Sequence, residues 1–242
     1  MFISVIIPTL NESEFIAKTI RNVEKKAEFP NNTELIVIDS GSSDDTKEIA
    51  GSFGAVNLQT HPNLKGKKYA ILNEGVRYTK GEIFLFLDAD TLLPNHFDSL
   101  IIEQVIKKGY VGGAFEFKLD GSNWSLRFIE IVNRIRYRLG QRYYGDQGVF
   151  CTREAFMNVG GYPKKQILER AYFCKSLKQV GKLKLIRKKA ITSSRRFTKN
   201  AISPLWVLAE DTYIFLLDTL GISNNKFAEK YWEYNDKKTK KK

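Results

Sequence analysis

The sequence predicts an α/β fold: one domain on a mostly parallel central sheet, helices on both faces, and a C-terminal helical extension. Three observations predict it. Strand-type and helix-type segments alternate through the first hundred residues. The strand-type segments are near-continuous apolar runs, which marks strands covered on both faces. No linker or internal repeat divides the chain, and its 242 residues suffice for one substantial core.

Taken in order, "FISVIIP" at 2–8 is a short β-rich run. Segment 11–27 has Ile16, Ile20 and Val23 at helical spacing, and Asn11 is expected to cap it. "ELIVIDS" at 34–40 reads as a second buried strand. Segment 43–54 reads as a helix with acidic residues in its first turn and a glycine at its end. "AVNLQT" at 55–60 is a weaker strand, 65–79 a third helix, and "EIFLFLD" at 82–88 a fourth strand. Beyond residue 100 the order changes. A helix at 97–109 precedes a strand at 109–119, and 123–140 has helical periodicity with a strongly basic face. The stretch 143–163 is loop-rich, 166–181 is a further helix and 182–194 an edge strand. Glu210, Asp211 and Asp218 interrupt the apolar segment at 203–221. Each costs about 2.5–3.5 kcal/mol at a bilayer centre. That segment is therefore expected to pack on the domain, on a second subunit or on a membrane surface rather than to span.

Two cysteines make no disulfide framework, and the start has no basic leader, so a reducing, cytoplasmic setting is expected. The net charge of +12 is unevenly placed. Residues 1–100 carry 10 Lys/Arg against 14 Asp/Glu, which leaves 29 against 13 for the remainder. Such asymmetry points to an anionic partner for the second part: nucleic acid, a membrane surface or a phosphorylated substrate. The basic tail at 233–242 reads as a disordered, solvated end that could also hold the chain to anionic lipid on the inner face of a membrane.

Glycine-rich dinucleotide and P-loop strings are missing, and two His with two Cys disfavour zinc. Carboxylates at strand ends remain. Alternation along a strand would place Asp88 and Asp90 on one face, and strand direction would bring them to one sheet edge with Asp39. Like charges so placed repel unless a cation sits with them, although a solvated acidic turn would also account for the pair. A hard divalent cation of this kind shares its coordination shell with substrate phosphates, which suggests a nucleoside diphosphate.

The strings "SVIIPTLNES", "ELIVIDSGSSDDT", "GKKYAILNEGV", "GEIFLFLDADTLLP", "GGAF", "YGDQGVFCTREAFMNVGGYP" and "TSSRRF" follow one another in an order that resembles family 2 glycosyltransferases of the GT-A fold. The likeness spans roughly residues 2–232 and is closest to a compact subgroup without added transmembrane helices. It implies a donor part at 1–100, an acceptor part at 101–200 and C-terminal helices at 201–232. Pro8, Thr9 and Glu12 would line the nucleotide base pocket, with Asp39 on the base or ribose and Lys67 and Asn73 near the nucleotide. Asp88 and Asp90 would be the metal pair for Mn²⁺ or Mg²⁺, with Asp90 the direct ligand. Arg195 and Arg196 would neutralise the diphosphate, unless they are a solvated basic loop.

The resemblance implies an inverting, metal-dependent transfer from a UDP- or GDP-linked sugar to the hydroxyl of an acceptor, lipid-linked or anionic. The family's base is the aspartate of a Glu-Asp pair. Here "LERAYF" supplies Glu169 and then Arg170, which accepts no proton. Glu169 or Asp146 could serve instead. Otherwise the chain is a catalytically impaired nucleotide-sugar-binding protein. A nucleic-acid-binding protein is the remaining alternative, and it leaves the strand-end carboxylates unexplained, so no nucleic acid is expected.

Overall fold

The structure is a computed structural model that describes residues 1–195 except 55, 141, 142 and 144, together with 209 and 213. Arg196, the C-terminal helices expected at 201–232 and the basic tail lie outside the described residues.

Among the described residues the strands form one eight-stranded sheet in the order β3-β2-β1-β4-β7-β6-β8-β5. The strands are β1 (Ile3–Thr9), β2 (Thr33–Asp39), β3 (Val56–Thr60), β4 (Ile83–Phe86), β5 (Thr91–Leu92), β6 (Gly112–Leu119), β7 (Val149–Thr152) and β8 (Leu183–Thr192). The helices are α1 (Ile16–Lys26), α2 (Thr46–Gly51), α3 (Lys68–Val76), α4 (Phe97–Lys108), α5 (Trp124–Gly140), α6 (Arg153–Asn158) and α7 (Glu169–Val180). Strands β1, β2, β3 and β4 are mutually parallel, as are β6 and β8, whereas β7 runs antiparallel between β4 and β6.

The apolar runs explain the layering. On β4, Phe84 and Phe86 face a core with α3, α5, α6 and α7, while Ile83 and Leu85 face a second core with α1, α2 and α4. Alternate residues of a strand point to opposite faces, so a strand apolar at every position needs a helical layer on each side. On the first face Phe86 meets Phe156, Tyr162 and Phe173 edge-on or stacked. Where β6 meets β8 the backbones come so close that a Cβ on Gly113 would lie 2.0 Å from the Lys184 carbonyl oxygen.

Four expectations are corrected. The stretch read as loop-rich contains β7, in the middle of the sheet, and α6, capped by the Thr152 hydroxyl that accepts from the Ala155 N–H. A buried strand of four residues is too short to show a period. Among the described residues strand β8 is an edge for most of its length but not at its end, where Ile191 and Thr192 pair with β5. Asn11 does not cap α1. Its φ is +55° and its side-chain oxygen accepts from the Ser43 N–H, so the helix begins only at Ile16. Finally, β4 stops at Phe86, and Asp88 and Asp90 stand in the turn after it, so strand alternation does not govern where they point.

Candidate active site

Three chain segments end at the carboxyl edge of β1, β2 and β4, where an open α/β sheet leaves a crevice. The first two are zipped together. Asn11 N–H donates to Ser42 Oγ (2.8 Å), Glu12 N–H to Thr46 Oγ1 (2.8 Å) and Ser13 N–H to Asp44 Oδ2 (3.2 Å). Asp39 is fully buried and organises the second loop: Oδ2 accepts from the Gly41 and Ser42 amides (both 2.9 Å) and Oδ1 from the Ser42 and Thr9 hydroxyls. Its oxygens thus hold the loop that would face a nucleotide. Pro8 is half-buried in β1, paired with Ile38.

The third segment, Leu87–Asp90, sets two carboxylates among basic side chains. Asp88 Oδ1 lies 2.9 Å from Lys68 Nζ, at the start of α3, and 2.8 Å from Arg170 Nη2, in the first turn of α7. Burial would raise the Asp88 pKa, but the Arg170 and Lys68 charges prevail and hold it at about 2. Arg170 is only 2% exposed, and among the described residues its Nε and Nη1 have no hydrogen-bond partner. Asp90 belongs to a different ion pair. Its Oδ2 is 3.1 Å from Arg195 Nη2, its Oδ1 is 3.4 Å from the Thr192 hydroxyl, and its carbonyl accepts from the Ser193 N–H. Burial raises the Asp90 pKa and Arg195 opposes the rise.

Arg195 also bonds Glu12 Oε1 at 2.7 Å and lies over the Phe15 ring at 4.5 Å. Glu12 is pushed up to about 7 because burial outweighs its hydrogen bond from Arg195. Burial works against the Arg195 charge, yet Glu12 and Asp90 overcome it and hold the guanidinium protonated. A small open depression borders this group, lined by Phe15, Lys18, Asp90, Asp120 and Thr192 among others.

Of the residues singled out from the sequence, Glu12, Asp88, Asp90 and Arg195 converge. Lys67 is exposed at the α3 N-terminus, and the next residue, Lys68, reaches Asp88 instead. Asn73 is spent on the protein: Nδ2 donates to the Tyr162 carbonyl (3.0 Å) and Oδ1 accepts from the Tyr162 N–H (2.8 Å). Glu169 is buried beside Arg170, close enough for its charge to act on Arg170 and Lys68. Asp146 lies in the turn Gly145–Gln147 before β7, and since Val149 pairs with Phe86 that turn is at the same sheet edge as Asp88. Lys68, Thr192 and the Arg170–Asp88 pair were missed. The sequence signal for the pair was the departure at 170 itself, an arginine beside an acidic site.

Two carboxylates at the crevice fit a divalent cation in donor chemistry, both being hard oxygen ligands. Among the described residues no group of three or more His, Cys, Asp or Glu side chains surrounds a point, so substrate oxygens and water would have to complete such a shell.

The family matched by this chain is "Glycosyl transferase family 2", over residues 4–159. The glycosyltransferase AglE of Haloferax volcanii is 30% identical over 175 residues, 69% of this chain and 57% of that protein. A Methanococcus voltae enzyme, the dolichyl N-acetyl-alpha-D-glucosaminyl phosphate 3-beta-D-2,3-diacetamido-2,3-dideoxy-beta-D-glucuronosyltransferase, is 29% identical over 180 residues, 69% of this chain and 54% of its own length. The chain thus spans a little over half the length of these curated relatives. Among solved structures, the mannosyltransferase PcManGT from Pyrobaculum calidifontis in complex with GDP-Man and Mn²⁺ superposes with a TM-score of 0.62 at 21% identity, over 82% of this chain and 58% of that one. TarS 1-349 of S. aureus in complex with UDP gives 0.64 at 16% identity, over 80% and 60%.

Proposed function

The chain belongs to glycosyl transferase family 2, and from that premise we propose that it moves a sugar from a UDP- or GDP-linked donor to an acceptor hydroxyl with inversion. The observation that carries the reading is the crevice turn, where Asp88 and Asp90 each meet cationic side chains that converge from α3, α7 and the end of β8. Donor phosphates entering there meet Lys68 and Arg195, and guanidinium and ammonium groups suit phosphate oxygens. The zipped loops of Thr9–Ser13 and Asp39–Thr46 form the wall for base and ribose. Nucleotides on the two structural neighbours support both donor classes.

Asp90, with Asp88 behind it, would hold Mn²⁺ or Mg²⁺. The bound cation would neutralise charge on the departing nucleoside diphosphate. Arg195 bridges Asp90 and Glu12, so it links the phosphate end of the site to the loop of Glu12. Glu169 takes the acceptor proton in this reading. Its support is position, one residue before Arg170 and within Coulombic reach of Lys68, with Asp146 at the same edge to place the acceptor. The acceptor is lipid-linked and anionic, a reading supported by the dolichyl N-acetyl-alpha-D-glucosaminyl phosphate in the name of the Methanococcus relative and by the basic second half of the chain. The protein then works against a membrane surface, although no helix among the described residues is long and apolar enough to cross one.

The test is a thermal-shift titration with UDP, GDP and their sugar conjugates, with Mn²⁺ or with EDTA. Ligands that bind the folded state raise the midpoint. A Mn²⁺-dependent rise with one nucleotide, lost in Asp90→Ala, is expected. No rise with any of them sinks the donor reading. A rise without turnover on any lipid-phosphate acceptor favours the impaired, binding-only alternative that Arg170 raises.

A further inference from the structure

Helix α5 carries two apolar faces. Leu126, Ile129 and Tyr137 are buried in the core. Trp124, Phe128, Ile131 and Ile135 are between 45% and 74% exposed. At 100° per residue these four fall within about 60° of arc, opposite the buried face. The spacing runs four, three, four, so the stripe is continuous for about 16 Å of helix. A soluble helix needs only one apolar face, and a contiguous second one marks an interaction surface.

We propose that this stripe seats α5 in the interfacial zone of an anionic bilayer. Charge argues for lipid. The helix carries Arg127, Arg134, Arg136 and Arg138 against Glu130 alone, within a half of the chain that holds 29 basic and 13 acidic residues. Arg127, Arg134 and Arg138 flank the stripe on one side, their heads paired to the buried carboxylates of Glu130 and Glu116. Apolar residues with a tryptophan on one face and arginines beside them make up an interfacial helix. Area argues against a second copy: four side chains on a single helix cover a few hundred Å², short of the roughly 800 Å² per partner of a stable interface.

The placement has a use. Trp124 follows the Asp120–Asn123 loop, which is tied to the site because the Asp120 N–H donates to the Thr192 carbonyl and Asp120 Oδ1 accepts from the Ser194 N–H (2.8 Å). Seating the stripe would bring the rim of the Asp90 cleft to the headgroups, where a lipid-linked acceptor is presented. The inference rests on the membrane-facing part of the reading above, and vesicle binding is measured without sugar transfer, so the two fail separately.

The experiment uses the 242-residue chain with Trp206→Phe and Trp232→Phe, leaving Trp124 as the sole tryptophan. It is mixed with vesicles of equimolar phosphatidylcholine and phosphatidylglycerol, or of phosphatidylcholine alone. Expected are a water-exposed Trp124 emission in buffer, a blue shift with protection from acrylamide on the anionic vesicles, and several-fold weaker binding to the neutral ones. Ile131→Gln/Ile135→Gln, whose side chains touch solvent, should keep its melting midpoint and bind about tenfold or more weakly, a loss of about 1.4 kcal/mol or more. The proposal is overturned by no blue shift, by equal binding to both vesicles, or by full-strength binding of the double variant. It is also overturned if Trp124 is already shielded in buffer, which would mean that residues 203–221 or a second copy cover the stripe.

Discussion

Asn73→Ala separates a structural role from a ligand-binding one. In the sequence Asn73 stands where a nucleotide contact is expected, yet its amide closes a two-bond clamp on the backbone of Tyr162, a buried residue. The clamp holds the turn Gly160–Tyr162, in which both glycines have positive φ (+73° and +78°). The fit is close, since a Cβ on Gly161 would lie 2.7 Å from Asn73 Oδ1. Alanine leaves the Tyr162 N–H and carbonyl without their partner, and each buried orphan costs about 1–3 kcal/mol. The half-buried position of Asn73 lets water repair part of this, so the expected loss is about 2–4 kcal/mol. For a chain of this size that is a drop in melting temperature of about 5–15 °C. Asn73→Asp keeps the acceptor for the Tyr162 N–H but sets a carboxylate oxygen against the Tyr162 carbonyl, so at neutral pH it should recover little or none of the loss. Differential scanning calorimetry and urea unfolding read both variants, and nucleotide affinity is titrated alongside. If Asn73→Ala unfolds within 0.5 kcal/mol of the parent while nucleotide affinity falls tenfold, the clamp argument is refuted and Asn73 is a ligand contact.

The remaining predictions concern charge and close packing. Glu12, at about 7 in the fold against 4.5 ordinarily, binds a proton more tightly when folded, so its effect is to lower stability as pH rises from about 4.5 to 7, then level off. Glu12→Gln should abolish that slope and gain up to about 3 kcal/mol on the parent above pH 7, measured by urea unfolding across pH; parallel curves would refute it. Asp88 has the opposite sign: its lowered pKa contributes stability that is full above pH 4 and lost as pH falls through about 2. Lys68→Met should therefore cost about 1–2 kcal/mol at pH 7 and progressively less towards pH 2, while a loss independent of pH would point to lost packing instead. Gly113→Ala should cost about 3 kcal/mol or prevent folding, because its Cβ meets the backbone of β8, and soluble expression with an unchanged midpoint would contradict the β6–β8 register.

Much of this molecule is legible in one dimension because its sheet is covered on both faces. Apolar runs at β1, β2 and β4 with helical periods between them determine a parallel sheet. Strand direction then sends Asp39, Asp88 and Asp90 to one edge without further information. What the chain does not announce depends on contacts between residues distant in sequence. Strand β7 is four residues long, and only its place between β4 and β6 makes it a strand. Lys68 rather than Lys67 reaches Asp88 because the phase of α3 aims one of two adjacent lysines at the crevice. Arg170 is read in sequence as a missing base, and only its position 82 residues from Asp88, 2.8 Å away in space, turns it into that carboxylate's counter-ion. The second apolar face of α5 is written in its spacing, but which of its two faces is the core is decided by tertiary packing alone, since a helical period records that faces exist and not what each one meets.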